Sequence, residues 1–299
     1  MLRYFIAEVK KKILSLIGSE KIKNKIRYYY NYKTFKEAEK LEKKIKRLAE
    51  ESTESGISGK DDNLIVSMTT FGKRTDKVYL TVETLFRQSV KADKIILWLA
   101  KDEFNPNNIP ESLKRCIKRG LTVDFCKNIR SYKKLIPTLR KYSGYKIVTV
   151  DDDVFYPENF LEDFVKAYED DPGSVYCTRA RKIHSDRDYE YWENIIEPER
   201  GLDVMPIGCG GVFYPPEVFH EDILKENLFW EMARFGDDIW FKAMTLLNNY
   251  PCKLIKKQKD FPIVPDTQNY ALWDDNFSGR NDKQIKKVFD YYNLWEKFK

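Results

Sequence analysis

Four apolar or β-branched residues, 147–150 (IVTV), run directly into Asp151, Asp152 and Asp153. The run has too few polar positions for a half-solvated strand and predicts a strand buried in a parallel sheet. Three adjacent carboxylates at its end repel one another unless a cation or a hydrogen-bonded turn absorbs their charge. Ligands of open α/β sheets bind outside the carboxyl ends of the strands. The segment therefore predicts a divalent-metal site for a phosphorylated ligand, or an acidic turn that caps the next helix.

Strand and helix patterns alternate along the first half of the chain. Strands are predicted at 64–70, 94–99 and 121–125, and helices at 78–88, 113–118 and 131–142. This order predicts an α/β fold with right-handed crossovers and a mainly parallel, Rossmann-like sheet flanked by helices. Because parallel strands end at the same edge of a sheet, Thr70, residues 124–130 and the three aspartates are expected along one rim.

The second half is less regular. A helix is predicted at 158–170 and a strand at 174–178, followed by an irregular segment at 179–200 and a glycine-interrupted strand at 207–214. Asp237 and Asp238 lie in the first turn of a helix. Short strands are expected at 254–257 and 261–264, and Asn281 and Asp282 are expected to cap a final helix at 283–298.

Positive charge is concentrated at the start of the chain. Residues 1–60 contain 16 Lys and Arg against 8 Asp and Glu, whereas the whole chain has a net charge of +6. The remaining chain is therefore slightly acidic, which is not the profile of a nucleic-acid-binding domain. The pattern predicts a basic helical extension and linker over 1–60, with an amphipathic helix at 2–17 and a charged helix capped by Thr34. The segment 51–62, rich in Ser, Gly and charge, is the expected linker. This extension could pack on the body or a partner subunit, or lie on an anionic membrane through residues 1–50.

Composition excludes several classes of protein. No stretch approaches the roughly 18 consecutive apolar residues that span a bilayer. The five cysteines are widely spaced and form no CxxC pair, so neither a zinc site nor a disulfide framework is indicated. Reduced thiols suit the cytoplasm, and peripheral attachment to the inner face of the membrane remains open.

Several other residues are candidate ligands, each with a simpler structural explanation. Gly210 and Gly211 could let the backbone approach a ligand, or could permit a bulge. Trp192 could stack on the ring of a ligand, or could belong to the core. His184 could bind phosphate or a metal, although a lone histidine is more often structural.

From residue 64 to about residue 247 the chain resembles GT-A glycosyltransferases, most closely the bacterial family-two-like enzymes that build capsular and lipopolysaccharide glycans. The matching segments occur in the family's order: IVSMTT at 65–70, SYKKLIP at 131–137, the DxD motif at 151–153, the glycine pair at 210–211 and the acidic pair at 237–238. Residues 281–284 (NDKQ) also look like the family's tail. Residues 1–60 lie outside the resemblance.

The resemblance implies a catalytic domain over 61–299, with a nucleotide-binding half at about 61–157 and an acceptor half at about 158–299. It implies transfer of a sugar from a nucleotide-sugar donor, with a UDP-sugar expected, to a hydroxyl of a glycan or lipid-linked acceptor. Asp151 and Asp153 would hold Mn²⁺ or Mg²⁺, with His184 a further candidate. The donor-binding candidates are Thr69, Thr70, Arg74, Asp124, Lys134, Asp151 and Asp152. The acceptor or loop candidates are Gly210, Gly211 and Trp192.

The same resemblance assigns the general base to Asp238, with Asp237 as the alternate, and the expected mechanism is inverting. A retaining mechanism would not need Asp238 in this role. First-turn acids also complement a helix dipole without any catalytic function. The Ala-Arg-Asn-rich segment that family members carry ahead of the metal motif is absent, and SYKK at 131–134 stands in its place.

Two alternatives belong to other classes. Haloacid-dehalogenase-type phosphatases also place Asp-x-Asp after an apolar strand and use a later Asp-Asp pair for Mg²⁺. Their motif normally follows the first strand of the domain, whereas three strand–helix units precede Asp151 here. The other alternative is a non-catalytic module that binds sugar nucleotides or glycans.

Overall fold

The acidic segment lies at the centre of an α/β fold. The computed structural model describes residues 20–60, 62–258, 260–267 and 279–298, with side chains from residue 36 onward. Within these residues a mostly parallel sheet of eight strands is flanked by helices, which confirms the predicted fold class. The helix expected at 2–17 lies outside the described residues.

The strands are short and their bounds are well defined. In chain order they are β1 (Leu64–Thr69), β2 (Lys94–Ala100), β3 (Leu121–Cys126), β4 (Lys146–Thr149), β5 (Val175–Cys177), β6 (Ala180–Lys182), β7 (Asn194–Ile195), β8 (Glu199–Gly201), β9 (Val204–Pro206), β10 (Val212–Tyr214) and β11 (Cys252–Leu254). The main sheet has the order β3-β2-β1-β4-β10-β5-β11-β8, and β7-β6-β9 form a small second sheet.

Helices connect and cover these strands. In the described part of the chain the α-helices are α1 (Glu20–Glu51), α2 (Val78–Phe86), α3 (Glu111–Lys118), α4 (Ile136–Lys141), α5 (Phe160–Asp170), α6 (Glu226–Met232), α7 (Asp237–Leu247) and α8 (Asn281–Tyr291). β1 pairs in parallel with both β2 and β4, so the strands of the first half end at one edge. β10 runs antiparallel between β4 and β5.

The strand before the aspartates is buried as predicted. Ile147, Val148, Thr149 and Val150 are each no more than 1% exposed. One hydrophobic core lies under the first half of the sheet and includes Val148 and Val150. A second core contains Ile147 and most of the apolar residues of α7 and α8. With apolar side chains packed on both faces, this strand is held firmly where it delivers the three acids to the rim.

The second half corrects several expected boundaries. Arg130–Lys134 forms a 3₁₀ helix and α4 begins only at Ile136, because Pro137 lacks an amide hydrogen and fits the first turn of a helix. Gly208–Gly210 forms a 3₁₀ turn, so the strand expected at 207–214 shrinks to β10. The final helix ends at Tyr291, shortly before Asn293 adopts a left-handed backbone with φ +53°.

Short strands account for the other differences. The segment expected to be irregular at 179–200 contains β6, β7 and part of β8, which are too short to leave a periodic pattern. The strand expected at 254–257 is β11, and Ile263 forms only an isolated bridge with Val154. That bridge places the segment 260–267 directly over the acidic turn.

The N-terminal extension is joined to the body. Residues 20–51 form one continuous helix, so Thr34 is not a cap, because no Gly or Pro interrupts the run. Ile45 packs against Leu80, Phe155 and Val264. The segment expected to be a linker is also bonded to the body, since the Gly56 amide donates to the Arg119 carbonyl. Among the described residues, no helix has both the length and the apolar character needed to cross a bilayer.

Replacing Ile45 tests whether α1 is part of the folded body. Ile45 is 6% exposed, so Ile45→Ala should lower the free energy of unfolding by about 2–4 kcal/mol through lost burial and the cavity left behind. Lys44→Ala, on the exposed face of the same helix, is the control. Equal urea midpoints for the two variants would show that the helix does not contribute to the cooperative unit.

Candidate active site

The three aspartates lie in a turn that leaves the sheet directly after β4. The Val150 amide donates to the Ser67 carbonyl at 3.1 Å, which is the last contact of this strand with β1. The Asp151 amide then donates to the Tyr156 hydroxyl at 3.0 Å. The Asp153 carbonyl accepts from the Val264 amide at 2.7 Å. The turn is therefore fixed from both sides, and its backbone hydrogen bonds orient the three carboxylates differently.

Arg74 neutralises two of the three acids. Its Nη1 lies 2.8 Å from Asp152 Oδ1 and its Nη2 lies 2.9 Å from Asp153 Oδ2. Asp152 is 5% exposed and also accepts from the Thr70 hydroxyl at 2.5 Å. The Thr267 hydroxyl lies 3.3 Å from Asp153 Oδ2, and the Thr267 carbonyl accepts from Arg74 Nε at 3.2 Å. Asp152 is thus a buried anchor for the loop that follows β1.

Lys134 connects the acidic turn to the start of α7. Its Nζ lies 3.3 Å from Asp151 Oδ1 and 3.0 Å from Asp237 Oδ2, and its side chain is 8% exposed. Asp237 Oδ1 accepts from the Ser131 hydroxyl at 2.8 Å. The Lys134–Asp237 contact is an ion pair without hydrogen-bond geometry, which leaves Asp237 Oδ2 without a hydrogen-bond partner. A single buried cation therefore lies between acids that are distant in sequence.

Asp238 lies against Gly208, close to Lys134. Its Oδ2 accepts from the Gly208 amide at 2.9 Å. A Cβ atom on Gly208 would lie 2.7 Å from Asp238 Oδ1 and 2.9 Å from Lys134 Nζ, so the close approach requires glycine. Burial raises the pKa of Asp238 to about 7, with Asp237 adding to the rise and Lys134 opposing it. A carboxyl group with a pKa near neutrality can exchange a proton with a bound ligand.

Acidic side chains lie close together in this cluster. Arg74 pairs with Asp152 and Asp153, and Lys134 pairs with Asp151 and Asp237 and lies near Asp238. Burial, together with the charges of its two neighbouring aspartates, raises the pKa of Asp153 to about 6. An additional cation would relieve this repulsion.

The donor atoms at the turn suit a hard divalent cation. All are oxygens, which Mg²⁺ and Mn²⁺ prefer. Across the described ranges, no three His, Cys, Asp or Glu side chains converge as a metal-binding group. Mg²⁺ is commonly bound by one or two carboxylates together with substrate phosphates, so Asp151 and Asp153 fit a site that a phosphorylated ligand completes.

Other predicted residues lie outside this cluster. Asp124, within β3, pairs with Lys141 at 2.7 Å. The Thr69 hydroxyl donates to the Trp98 carbonyl at 2.8 Å. The two nitrogens of His184 lie 2.5 Å from Glu193 and 3.9 Å from Asp186, beside the small second sheet. These contacts involve none of the five clustered aspartates.

The acceptor candidates have structural roles in this conformation. Trp192 is 4% exposed, and its Nε1 donates to the Arg187 carbonyl at 3.2 Å, so its ring faces are covered by protein rather than open to a sugar. Gly211 has φ +85°, and a Cβ atom there would lie 2.4 Å from the Phe160 ring. A Cβ atom on Gly210 would lie 2.7 Å from the Thr178 hydroxyl. The two glycines therefore serve packing and the turn that precedes β10.

The sequence alone did not identify three residues of the site. Ser131 is only the first residue of the predicted helix at 131–142, yet its hydroxyl bonds to Asp237. Gly208 was grouped with its neighbours in a strand, although it is the glycine that lies against Asp238. Thr267 carries no motif, and its part in holding Arg74 depends on the return of residues 260–267 to the acidic turn.

Comparisons with known proteins concern the fold. No protein-family model matches the chain, and the search of curated proteins finds no match. Among solved structures, the chain resembles S. aureus TarS 1-349 at 16% identity and a TM-score of 0.45, covering 66% of this chain and 59% of that one. It also resembles the mannosyltransferase PcManGT from Pyrobaculum calidifontis, in complex with GDP-Man and Mn²⁺, at 13% identity and a TM-score of 0.49, covering 87% and 74%.

A third similar structure is the inositol-1-phosphate CTP transferase from T. maritima. It has 8% identity and a TM-score of 0.43, covering 76% of this chain and 96% of that one. Similarities of this degree do not assign a family or a substrate. What the site can do chemically is therefore argued from the arrangement of this chain's own side chains.

Removing the Lys134 charge should destabilise the protein in a pH-dependent way. Lys134→Met leaves buried carboxylates without their cation, and the expected loss is about 3–5 kcal/mol at neutral pH. Asp238 already has a folded-state pKa of about 7, above its ordinary value of 3.8. Loss of Lys134 would raise this pKa further, so the part of the loss that comes from Asp238 should grow as the pH rises through about 7. It should be absent at acidic pH, where the Asp238 carboxyl is protonated in both folded proteins.

Lys141→Met is the matched control for this measurement. Lys141 pairs with Asp124 but is 51% exposed, so its loss should cost no more than about 1 kcal/mol at any pH. Urea unfolding between pH 3.5 and 8 measures both variants. Parallel stability curves for the wild type and Lys134→Met would contradict the role of Lys134 as the central counter-ion.

Proposed function

We propose that this chain is a GT-A-type glycosyltransferase that uses a nucleotide-sugar donor. The observation that carries the proposal is the joining of two acidic motifs through Lys134. The acids after β4 suit the diphosphate side of a donor, and the acids at the start of α7 suit proton removal from an acceptor. A sugar transfer needs both functions next to each other, one on either side of the transferred carbon.

The donor side is formed by the loop after β1 and the acidic turn. Asp151 and Asp153 would hold Mn²⁺ or Mg²⁺ together with the diphosphate. When bound, such a cation stabilises the negative charge that gathers on a departing diphosphate. Arg74 holds Asp152 and Asp153 in place, and Thr70 fixes Asp152 from the other side. Lys134 lies beside Asp151 and adds a positive charge on the same side.

The acceptor side is formed by α7 and the turn at Gly208. Asp238 is the proposed general base, because its raised pKa matches removal of a proton near neutral pH. The Gly208 amide fixes one oxygen of its carboxylate. Asp237 is held by Ser131 and Lys134, so it is better suited to maintain the cluster than to move a proton. A positioned base of this kind supports an inverting mechanism.

The finer assignments belong to the same proposal. The donor is a UDP-sugar, the acceptor is a hydroxyl of a glycan or lipid-linked glycan, and the product belongs to a surface polysaccharide such as capsule or lipopolysaccharide. The expected location is the cytoplasm, with peripheral contact at the inner face of the membrane. The haloacid-dehalogenase-type alternative is disfavoured, because β4 is the fourth strand in chain order rather than the first.

A donor panel tests the proposal. UDP-, GDP-, CMP- and dTDP-sugars are screened by thermal shift with Mn²⁺, and donors that bind are followed for release of the free nucleoside diphosphate. The expected result is binding of one nucleotide class and slow donor hydrolysis. Turnover of p-nitrophenyl phosphate without any sugar-nucleotide binding would instead identify a phosphatase.

Two substitutions should separate binding from chemistry. Asp153→Ala should abolish metal-dependent donor binding, because it removes a carboxylate from the metal site. Asp238→Ala should keep donor binding within about twofold but lower turnover by about a hundredfold or more, the scale of general-base catalysis. Calorimetry measures binding and nucleoside diphosphate release measures turnover. Loss of binding in Asp238→Ala would argue against its role as base.

The proposed membrane contact is tested with vesicles. Full-length protein should sediment with anionic vesicles at low salt, and removal of residues 1–19 should reduce the bound fraction, because basic residues are drawn to anionic headgroups. This deletion leaves the packed part of α1 intact. Neutral phosphatidylcholine vesicles are the control. Equal sedimentation of the two proteins would remove the evidence for a membrane role of these residues.

A further inference from the structure

Three arginines converge on one aromatic ring next to the proposed base. The guanidinium carbons of Arg130, Arg280 and Arg234 lie 4.4, 4.6 and 5.7 Å from the centroid of the Phe235 ring. Arg234 also lies 4.5 Å from the Trp230 ring. Each distance is within the range of a cation–π interaction. The ring surface thus gathers three like charges that come from three separate parts of the chain.

Two of the three arginines, Arg130 and Arg234, form no ion pair with an acid in the described part of the chain. Both side chains are accessible to solvent. Burial, followed by the charges of Arg234 and Arg280, lowers the pKa of Arg130. Like charges this close disfavour the folded state unless an anion compensates them.

The backbone also supports this arrangement. Arg130 has φ +57°, a left-handed conformation that is uncommon for a residue with a side chain. The Asn128 side chain accepts from the Arg130 amide at 3.2 Å and stabilises this turn. The Phe235 amide donates to the Gln284 side chain at 2.8 Å, which joins the backbone just before α7 to α8. The arginines are therefore presented by constrained parts of the chain.

The cluster is adjacent to the acceptor side of the site. Arg130 immediately precedes Ser131, whose hydroxyl bonds to Asp237. Phe235 precedes Asp237 by two residues, and only Gly236 separates them. A ligand held by the arginines would therefore reach the start of α7, where Asp238 is placed. The Asp151–Asp153 turn meets the same helix from the other side, through Lys134.

We propose that Arg130, Arg234 and Arg280 form a subsite for a phosphate group of the acceptor substrate. Arginine is suited to this role because its planar fork of donors matches phosphate oxygens and can stack on an aromatic ring at the same time. The subsite is separate from the acidic turn, where the proposed function places the donor diphosphate. The assignment to the acceptor rests on the proposed glycosyltransferase function, whereas phosphate binding itself does not.

Inorganic phosphate is the probe for this subsite. It is titrated into the full-length protein by thermal shift and ³¹P NMR, without and with saturating UDP and Mg²⁺. We expect saturable binding in both conditions, weakened by added salt. The single variant Arg234→Gln should bind phosphate about tenfold more weakly than the wild type. The double variant with Arg130→Gln and Arg234→Gln should bind it about a hundredfold more weakly, which is the scale of lost charged hydrogen bonds.

Arg115→Gln is the matched control, since it removes one exposed arginine on α3 and should bind phosphate like the wild type. Arg234 is also exposed, so its single variant remains informative if the double variant folds poorly.

Unchanged phosphate binding in Arg234→Gln, or no saturable binding by the wild type, would overturn the subsite. Competition between phosphate and UDP–Mg²⁺ would assign the arginines to the donor and overturn the acceptor assignment. Absence of UDP binding would separately contradict the UDP-sugar part of the proposed function, and absence of binding by all four nucleotide classes would contradict the function itself.

Discussion

The buried ammonium group of Lys134 is the interaction on which the site depends. It lies between Asp151 at the end of β4 and Asp237 at the start of α7, and its side chain is nearly excluded from solvent. A buried lysine is stable only with paired charges, and a group of buried carboxylates is stable only with a cation. Burial opposes its charge, yet the nearby aspartates hold the pKa of Lys134 well above its usual value. Each half of the cluster therefore depends on the other.

Arg74 has the corresponding role on the outer side of the acidic turn. It spans Asp152 and Asp153 and also donates to the carbonyl of Thr267, so the turn is linked to the segment at 260–267. That segment contacts α1, because Val264 packs with Ile45. The N-terminal helix is thus connected to the site through a few packed residues.

The middle aspartate of the triplet illustrates how tertiary structure assigns a role. The sequence places Asp152 among the donor-binding candidates but outside the expected metal pair of Asp151 and Asp153. In the folded protein it accepts from both Thr70 and Arg74, and its own carbonyl accepts from the Thr81 hydroxyl at 3.0 Å. Its carboxylate is therefore occupied by the protein. Of the three carboxylates, that of Asp151 is the most exposed, at 31%.

The sequence by itself determined the alternation of strands and helices, the buried strand at 147–150 and the delivery of acids to the rim. These features depend on local periodicity and on residue type, which are written in the sequence. The tertiary structure alone decided which charges meet. Lys134 pairs with Asp237, and Asp238 lies against Gly208. Arg130 and Arg234 both lie over the Phe235 ring. Each of these contacts exists only because the fold brings distant segments together. Pairings of this kind follow from the packing of the sheet and helices, and no local pattern encodes them.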